Sequence, residues 1–278
     1  MLLLNKQPIE HFLFSGGEFQ IKLPSQIKEE RVILTWKPVN ASEITFLGLV
    51  INALKHKGIS DIDLDILYLP YARQDRVCSP GEANSLQFIC EFLDKLDLTT
   101  IRIWDIHNEL NTAELFTETT VGFVTATNIF DRYRILDDFD TSNLIICSPD
   151  DGAFGRVADL CDYFNLPMPV TLHKVRCPDT GRITGMNFDK YSRNVESYNI
   201  LIIDDICDGG ATFNQAAQVL KEKGAINLYL YVTHGIFSKG LDLLLENFKH
   251  IFCHHVLHDD NYYSTDQLTI LQEHQNVP

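Results

Sequence analysis

Asn199-Ile200-Leu201-Ile202-Ile203-Asp204-Asp205-Ile206-Cys207-Asp208-Gly209-Gly210-Ala211-Thr212 is the stretch on which the fold class turns. Its run of apolar residues, bounded by an asparagine and two aspartates, predicts a buried strand of a parallel sheet. An acidic pair, a tight Gly-Gly turn and Thr212 follow, with Thr212 expected at the cap of a helix. That helix is read from Phe213, Ala216, Ala217, Val219 and Leu220, and it stops near Gly224. A strand, a glycine loop and a helix start gather free backbone N–H groups where an anion can sit. The acids at the strand end suit sugar hydroxyls or a divalent cation.

The same rhythm extends on both sides. Strands are predicted at 31–36, 63–69, 101–104, 144–147, 170–172, 228–232 and, as the last one, 251–256. Helices are predicted at 44–55, near 84–96, at 155–163 and at 242–248. Ser15-Gly16-Gly17 between apolar flanks reads as a hairpin turn, and residues 177–185, with Pro178 and two glycines, as a mobile excursion. Alternating strands and helices predict an α/β protein of two similar lobes, each a parallel sheet flanked by helices. The expected division is 1–124 and 125–278, with the final residues returning to pack on the first lobe.

The chain has 278 residues, 45% of them hydrophobic and 22% charged, enough for two medium α/β domains. Its net charge of −15 argues against nucleic acid or an anionic membrane as a general partner. Anionic small molecules remain compatible, because metal ions and local N–H groups can hold them. The seven cysteines are odd in number and lack C-x-x-C spacing, which fits a reduced cytoplasm and suggests neither disulfides nor zinc. Met1–Leu4 is too short an apolar start for a signal peptide or a membrane span.

The polar clusters lie directly after predicted strands, the edge where open α/β sheets bind ligands. They are Pro70-Tyr71-Ala72-Arg73-Gln74-Asp75-Arg76, Asp105-Ile106-His107, Ser148-Pro149-Asp150, Lys174-Val175-Arg176 and Thr233-His234-Gly235-Ile236-Phe237-Ser238. Taken singly, each is as compatible with a solvated surface turn as with a site.

Together and in this order they resemble the ribose-phosphate diphosphokinases (phosphoribosyl-diphosphate synthetases), over a span from about Phe14 to about Val256. The string from Asp204 to Thr212 resembles the phosphoribosyl-diphosphate loop that these enzymes share with type I phosphoribosyltransferases. Asp204, Asp205, Asp208, Gly210 and Thr212 fit its pattern, whereas Gly209 stands where Thr or Ser is usual and Ala211 where Gly is usual. The resemblance implies transfer of the β,γ-diphosphoryl group of ATP to the anomeric hydroxyl of ribose 5-phosphate, in the cytoplasm, with Mg2+ as cofactor. By position, Phe14, Glu18, Arg73, Gln74, Asp75 and His107 are implied at ATP, and His107 and Asp150 at the metal. Lys174 and Arg176 are implied as the catalytic cations. Asp204, Asp205, Asp208, Gly209, Gly210, Ala211 and Thr212 are implied at ribose 5-phosphate, and residues 177–185 as a closing lid.

Departures from the family pattern carry expectations too. Gly16 stands where an Asp or Asn is usual, which leaves nucleotide choice open. Only Met1–Leu13 precede Phe14, so the family's extra amino-terminal strand and helix are expected to be missing. Ser79-Pro80-Gly81-Glu82-Ala83 replaces a more basic run, so allosteric inhibition by ADP is expected to be weak or absent. A homo-oligomer is expected, either a dimer or the hexamer common in the family. Asp151-Gly152-Ala153-Phe154-Gly155-Arg156 replaces a Gly-Gly-x-Lys-Arg type run and has one cation fewer. The competing readings are a non-catalytic binding homologue and, last, a phosphoribosyltransferase.

Overall fold

The computed structural model describes residues 1–38, 43–176, 183–188, 193–257 and 265–271. The chain divides into two units, Met1–Thr125 and Ala126–Pro278. No described helix is long and apolar enough to cross a membrane.

In the first unit the strands are β1 (Leu2–Leu4), β2 (Gln7–Pro8), β3 (Glu10–Leu13), β4 (Phe19–Lys22), β5 (Arg31–Trp36), β6 (Asp61–Ile66), β7 (Thr100–Trp104) and β8 (Thr120–Val124). The helices are α1 (Glu43–His56), α2 (Ser85–Asp94) and α3 (Glu109–Glu114). Six strands form one sheet in the order β2-β1-β5-β6-β7-β8. β5 to β8 are parallel, while β1 and β2 add an antiparallel edge that periodicity did not predict. Strict alternation along β5 and β6 buries Val32, Leu34, Trp36, Ile62, Leu64 and Ile66 on one face. α1 covers them with Leu47, Val50, Ile51 and Leu54, and α2 with Leu86, Ile89, Cys90 and Leu93. The other face carries cross-strand ion pairs, Arg31–Asp63 at 2.7 Å and Arg102–Asp65 at 2.6 Å.

The apolar run read as a strand over 63–69 pairs only to Ile66. Leu69 is still buried, so its hydrophobicity reports packing after the backbone has turned. The Ser-Gly-Gly segment is a hairpin: β3 and β4 pair antiparallel with Leu13 opposite Phe19, and Gly17 takes the left-handed φ of 88° that the turn requires.

The second unit contains α4 (Ala126–Tyr133), β9 (Leu144–Ser148), α5 (Phe154–Tyr163), β10 (Val170–Arg176), β11 (Ile183–Phe188), β12 (Asn199–Cys207) and α6 (Ala211–Glu222). It continues with β13 (Asn227–Gly235), α7 (Asp242–Asn247), β14 (His250–Val256) and β15 (Leu268–Ile270). The sheet order is β11-β10-β9-β12-β13-β14-β15. All neighbours are parallel except β11, which pairs antiparallel with β10. Fully buried Ile200, Leu201, Ile202 and Ile203 make β12 the central strand, and Phe213, Ala216, Ala217 and Leu220 of α6 are also buried.

Four expectations change in this unit. Lys174 and Arg176, the Asp204–Asp205 pair, and Thr233 to Gly235 lie within β10, β12 and β13 and not after them, because strand pairing continues past the apolar runs. Residues 183–185, read as part of a mobile excursion, belong to β11, with Gly185 opposite Val175; residues 177–182 lie outside the described residues. β14 is not the last strand, because β15 pairs with it; residues 272–278 also lie outside the described residues. Thr212 is not the helix cap. Gly210 is, at φ 73°, and a side chain there would be strained and would press on Leu244 at 3.2 Å. The left-handed turn therefore selects glycine for the cap position and moves Thr212 into the first helical turn. The buried cysteines remain thiols, and burial pushes Cys90 and Cys161 up to about 12.

Candidate active site

In the first unit, the hairpin brings Phe14 and Glu18 together. The Phe14 N–H donates to the Glu18 carbonyl at 2.9 Å, and the Gly17 N–H donates to the Phe14 carbonyl at 2.8 Å. Both side chains stand exposed at the tip. Arg73 and Gln74 are exposed in the turn after β6, where Tyr71 adopts a left-handed φ of 67°. The Gln74 N–H donates to the Tyr71 carbonyl at 2.8 Å.

Asp75 holds this turn against the next one. Its carboxylate accepts from the Asn108 amide at 3.3 Å, and its carbonyl accepts from the Asn111 amide at 3.2 Å. Asn108 is also the N-cap of α3, accepting from the Asn111 N–H at 3.1 Å. His107 is exposed immediately before that cap. Asn108 was not anticipated, although an Asn immediately before the first residue of a helix is the signal for such a cap.

In the second unit, β10, β9 and β12 are adjacent, and their carboxyl ends bring the remaining residues together. Thr171 lies opposite Ser148, and Ile202 opposite Cys147. Lys174, Asp150 and Asp204 each follow these positions by two or three residues and so share one edge of the sheet. Lys174 Nζ donates to Asp150 Oδ2. Asp150 Oδ1 accepts the Ala153 N–H at 3.1 Å, and the Ser148 hydroxyl donates to the Asp150 carbonyl at 2.7 Å. Burial opposes ionisation of Asp150, but the Lys174 ammonium and the Ala153 and Gly152 amides outweigh it, so the carboxyl lies below its usual range. Arg176 is the last residue of β10; its side chain lies outside the described part of the structure.

Asp204 and Asp205 form the acidic centre. The Asp205 N–H donates to Asp204 Oδ1 at 2.9 Å, and Arg156 of α5 approaches Asp205 Oδ2 at 3.7 Å. Burial, then the adjacent charge of Asp205 and the more remote charge of Asp150, raise the Asp204 carboxyl well above the ordinary carboxylate range. Arg156 and the His173–Asp151 pair, at 2.7 Å, were not anticipated, since nothing in the spacing of residues links α5 to β12 or β10 to the loop after β9.

The loop from Asp208 to Thr212 leads into α6. The Ser238 hydroxyl donates to Asp208 Oδ1 at 2.5 Å, and the Asn214 N–H closes the first helical turn on the Gly210 carbonyl at 3.0 Å. Gly209 and Ala211 leave the loop without bulk on either side of Gly210.

The donor set suits a hard cation. Among the described residues no three His, Cys, Asp or Glu side chains form a closed metal cage. Mg2+ does not need one, because it takes one or two carboxylates and completes its shell with water and phosphate oxygens. Burial and then the repulsion from Asp205 and Asp150 raise Asp204, and a cation at this edge would relieve that repulsion.

Comparison with known proteins agrees with this arrangement. A family model described as "Phosphoribosyl synthetase-associated domain" matches residues 192–251. The ribose-phosphate pyrophosphokinase of Pyrococcus abyssi is 32% identical over 230 residues, 82% of this chain and 76% of that protein. The Pyrococcus furiosus protein of the same name is 30% identical, over 82% of this chain and 77% of its own length. The crystal structure of phosphoribosylpyrophosphate synthetase from Mycobacterium smegmatis superposes with a TM-score of 0.77 at 20% identity, covering 95% of this chain and 85% of that one. The fold is thus the type I phosphoribosyltransferase-like α/β fold. Identity of this extent to proteins matched over most of their length leads to one conclusion: the chain belongs to the ribose-phosphate pyrophosphokinase family.

Proposed function

We propose that this chain transfers the β,γ-diphosphoryl group of ATP to the anomeric hydroxyl of ribose 5-phosphate, forming phosphoribosyl diphosphate and AMP. The observation that carries the proposal is the Lys174–Asp150 pair at the same sheet edge as Asp204 and Asp205. Lys174, Arg156 and three acids there suit a reaction joining a polyphosphate to a sugar.

The sugar oxygen attacks the β-phosphorus, the bond from that phosphorus to the α-bridging oxygen breaks, and AMP leaves with the electron pair. The hydroxyl proton passes to solvent. Lys174 and Arg176 stabilise the charge that builds on the transferring group, and Asp150 fixes where Lys174 starts. Asp204 and Asp205 accept hydrogen bonds from the ribose hydroxyls, with Arg156 setting the position of Asp205. Asp208 and the amides of Gly209, Gly210, Ala211 and Thr212, with the Thr212 hydroxyl, hold the 5-phosphate. Phe14 and Glu18 contact the adenine, and Arg73 and Gln74 contact the phosphates of ATP. Asp75 supports them through Asn108.

Asp150 would be a ligand for Mg2+, with His107 implied as a further ligand by the resemblance, and the ion would supply charge neutralisation at the polyphosphate oxygens. Residues 1–124 serve ATP and residues 125–278 the sugar phosphate, in a cytoplasmic homo-oligomer.

AMP release from ATP in excess magnesium, with and without ribose 5-phosphate, tests the reading beside Lys174→Ala. The expected result is sugar-dependent AMP without ADP, reduced by about 100-fold or more in the variant. Sugar-independent release, or full activity in the variant, contradicts it.

A further inference from the structure

Gly209 occupies the position where the resemblance expects Thr or Ser, yet its space is not empty. A methyl group placed on Gly209 would stand 3.4 Å from Cδ, 3.5 Å from Cε and 3.6 Å from Cγ of Lys239. The lysine stem therefore lies across the face of the glycine at ordinary van der Waals distance, where the missing side chain would be. Its ammonium is one bond beyond Cε, beside the loop of Asp208 to Thr212. Lys239 is exposed, and among the described residues no carboxylate pairs with it.

This placement is built into the backbone. The Ile236 and Phe237 N–H groups both donate to the Cys207 carbonyl, at 2.8 and 3.1 Å, and the Ser238 N–H donates to the Asp208 carbonyl at 3.2 Å. The Ser238 hydroxyl holds Asp208 Oδ1 as well. Phe237 takes a left-handed φ of 46° and is buried, and the Gly240 N–H closes the turn on the Phe237 carbonyl at 2.8 Å. The segment after β13 is thus fastened residue by residue to the segment after β12, which fixes Lys239 opposite Gly209.

We propose that Lys239 is a binding residue for the 5-phosphate of the sugar, supplying from the β13 loop the contact that the glycine at 209 cannot make. The inference rests on the ribose 5-phosphate reading of this loop. The physical need is clear. Asp208 places a negative charge beside the site of a dianion, and amides alone offset it less than a cation does. A lysine answers as a mobile point charge, whereas the stem that carries it fills the volume of the absent side chain.

Lys239→Met keeps the stem on Gly209 and removes the charge; Lys239→Arg keeps a charge. Ribose 5-phosphate kinetics, and binding by calorimetry, are measured for both variants and for the unaltered protein at low and high potassium chloride. In Lys239→Met the KM for ribose 5-phosphate is expected to rise about tenfold. Its KM for ATP and its kcat at saturating sugar should stay unchanged, and its salt dependence should be flatter than that of the unaltered protein. Lys239→Arg should remain within about threefold of the unaltered protein. If the unaltered protein turns over ribose 5-phosphate and Lys239→Met matches it in KM and salt dependence, the assignment of Lys239 is wrong while the reaction stands. If the unaltered protein neither turns over nor binds ribose 5-phosphate, the reaction fails and the Lys239 assignment falls with it. If it binds without turnover, weaker binding by Lys239→Met upholds the assignment and equal binding overturns it.

Discussion

Asp204 carries the clearest electrostatic tension in the protein. Burial and the charges of Asp205 and Asp150 raise its carboxyl above the ordinary range, so the folded protein binds a proton there more tightly than the unfolded chain does. Between the unfolded value, about 3.9, and the raised folded value, the native state holds the extra proton. Stability from this group is therefore full below the unfolded value and is lost as pH rises through the folded one. Asp204→Asn removes the repulsion while keeping an oxygen to accept the Asp205 N–H. In metal-free protein at neutral pH the variant should melt a few degrees higher than the unaltered chain, with the gap closing near pH 4, and it should lose most of its activity. Thermal melts across that pH range check this; a variant that melts lower at neutral pH contradicts the assignment of strain. At this scale the sequence made the acids, Lys174 and the glycines legible, because each sits in a short contiguous string at the carboxyl end of a strand, Lys174 and the Asp204–Asp205 pair within β10 and β12 and the glycines just after β12. Lys239 was not legible, nor were the contacts of Arg156 and Ser238, although both stand in strings that the resemblance singles out. Ser238 lies thirty residues from the aspartate it holds, and only the pairing of β12 with β13 brings them together.

At the scale of elements, the join between the β12 and β13 loops is where backbone and side chain depend most on each other. A Cβ on Gly235 would come within 2.2 Å of the Phe237 ring, and that ring is buried and cannot swing away. Gly235→Ala should destabilise the protein by roughly 1–3 kcal/mol. It should also raise the KM for ribose 5-phosphate, because Ser238 and Lys239 follow Phe237. Chemical denaturation and sugar-dependent kinetics read the two effects; unchanged stability would show that Phe237 has room the structure does not show. Element types were legible where periodicity was strict, as in α1, α2, α6 and the buried strands. Boundaries failed where two demands fell on the same residues. Leu69 is apolar because it packs, not because it pairs. Thr212 is a good capping residue, but the left-handed turn at the cap requires Gly210. The short edge strands β1, β2 and β15 have too few residues for alternation to mark them.

For the whole molecule, two α/β units, each with helices on a largely parallel sheet, could be read from the alternation of strands and helices, and the second sheet carries the acidic edge and the glycine loop. The cross-strand ion pairs on the open face of the first sheet could not, since pairing of Arg31 with Asp63 and Arg102 with Asp65 depends on strand register. The central claim is that a diphosphoryl group moves intact to a sugar phosphate. The direct measurement is to supply ATP labelled with 32P at the γ-position together with ribose 5-phosphate and magnesium, and to follow the label. Label is expected in a phosphoribosyl diphosphate, in one-to-one proportion with unlabelled AMP. Label in free phosphate with ADP, or in a sugar carrying one added phosphoryl group, would contradict it.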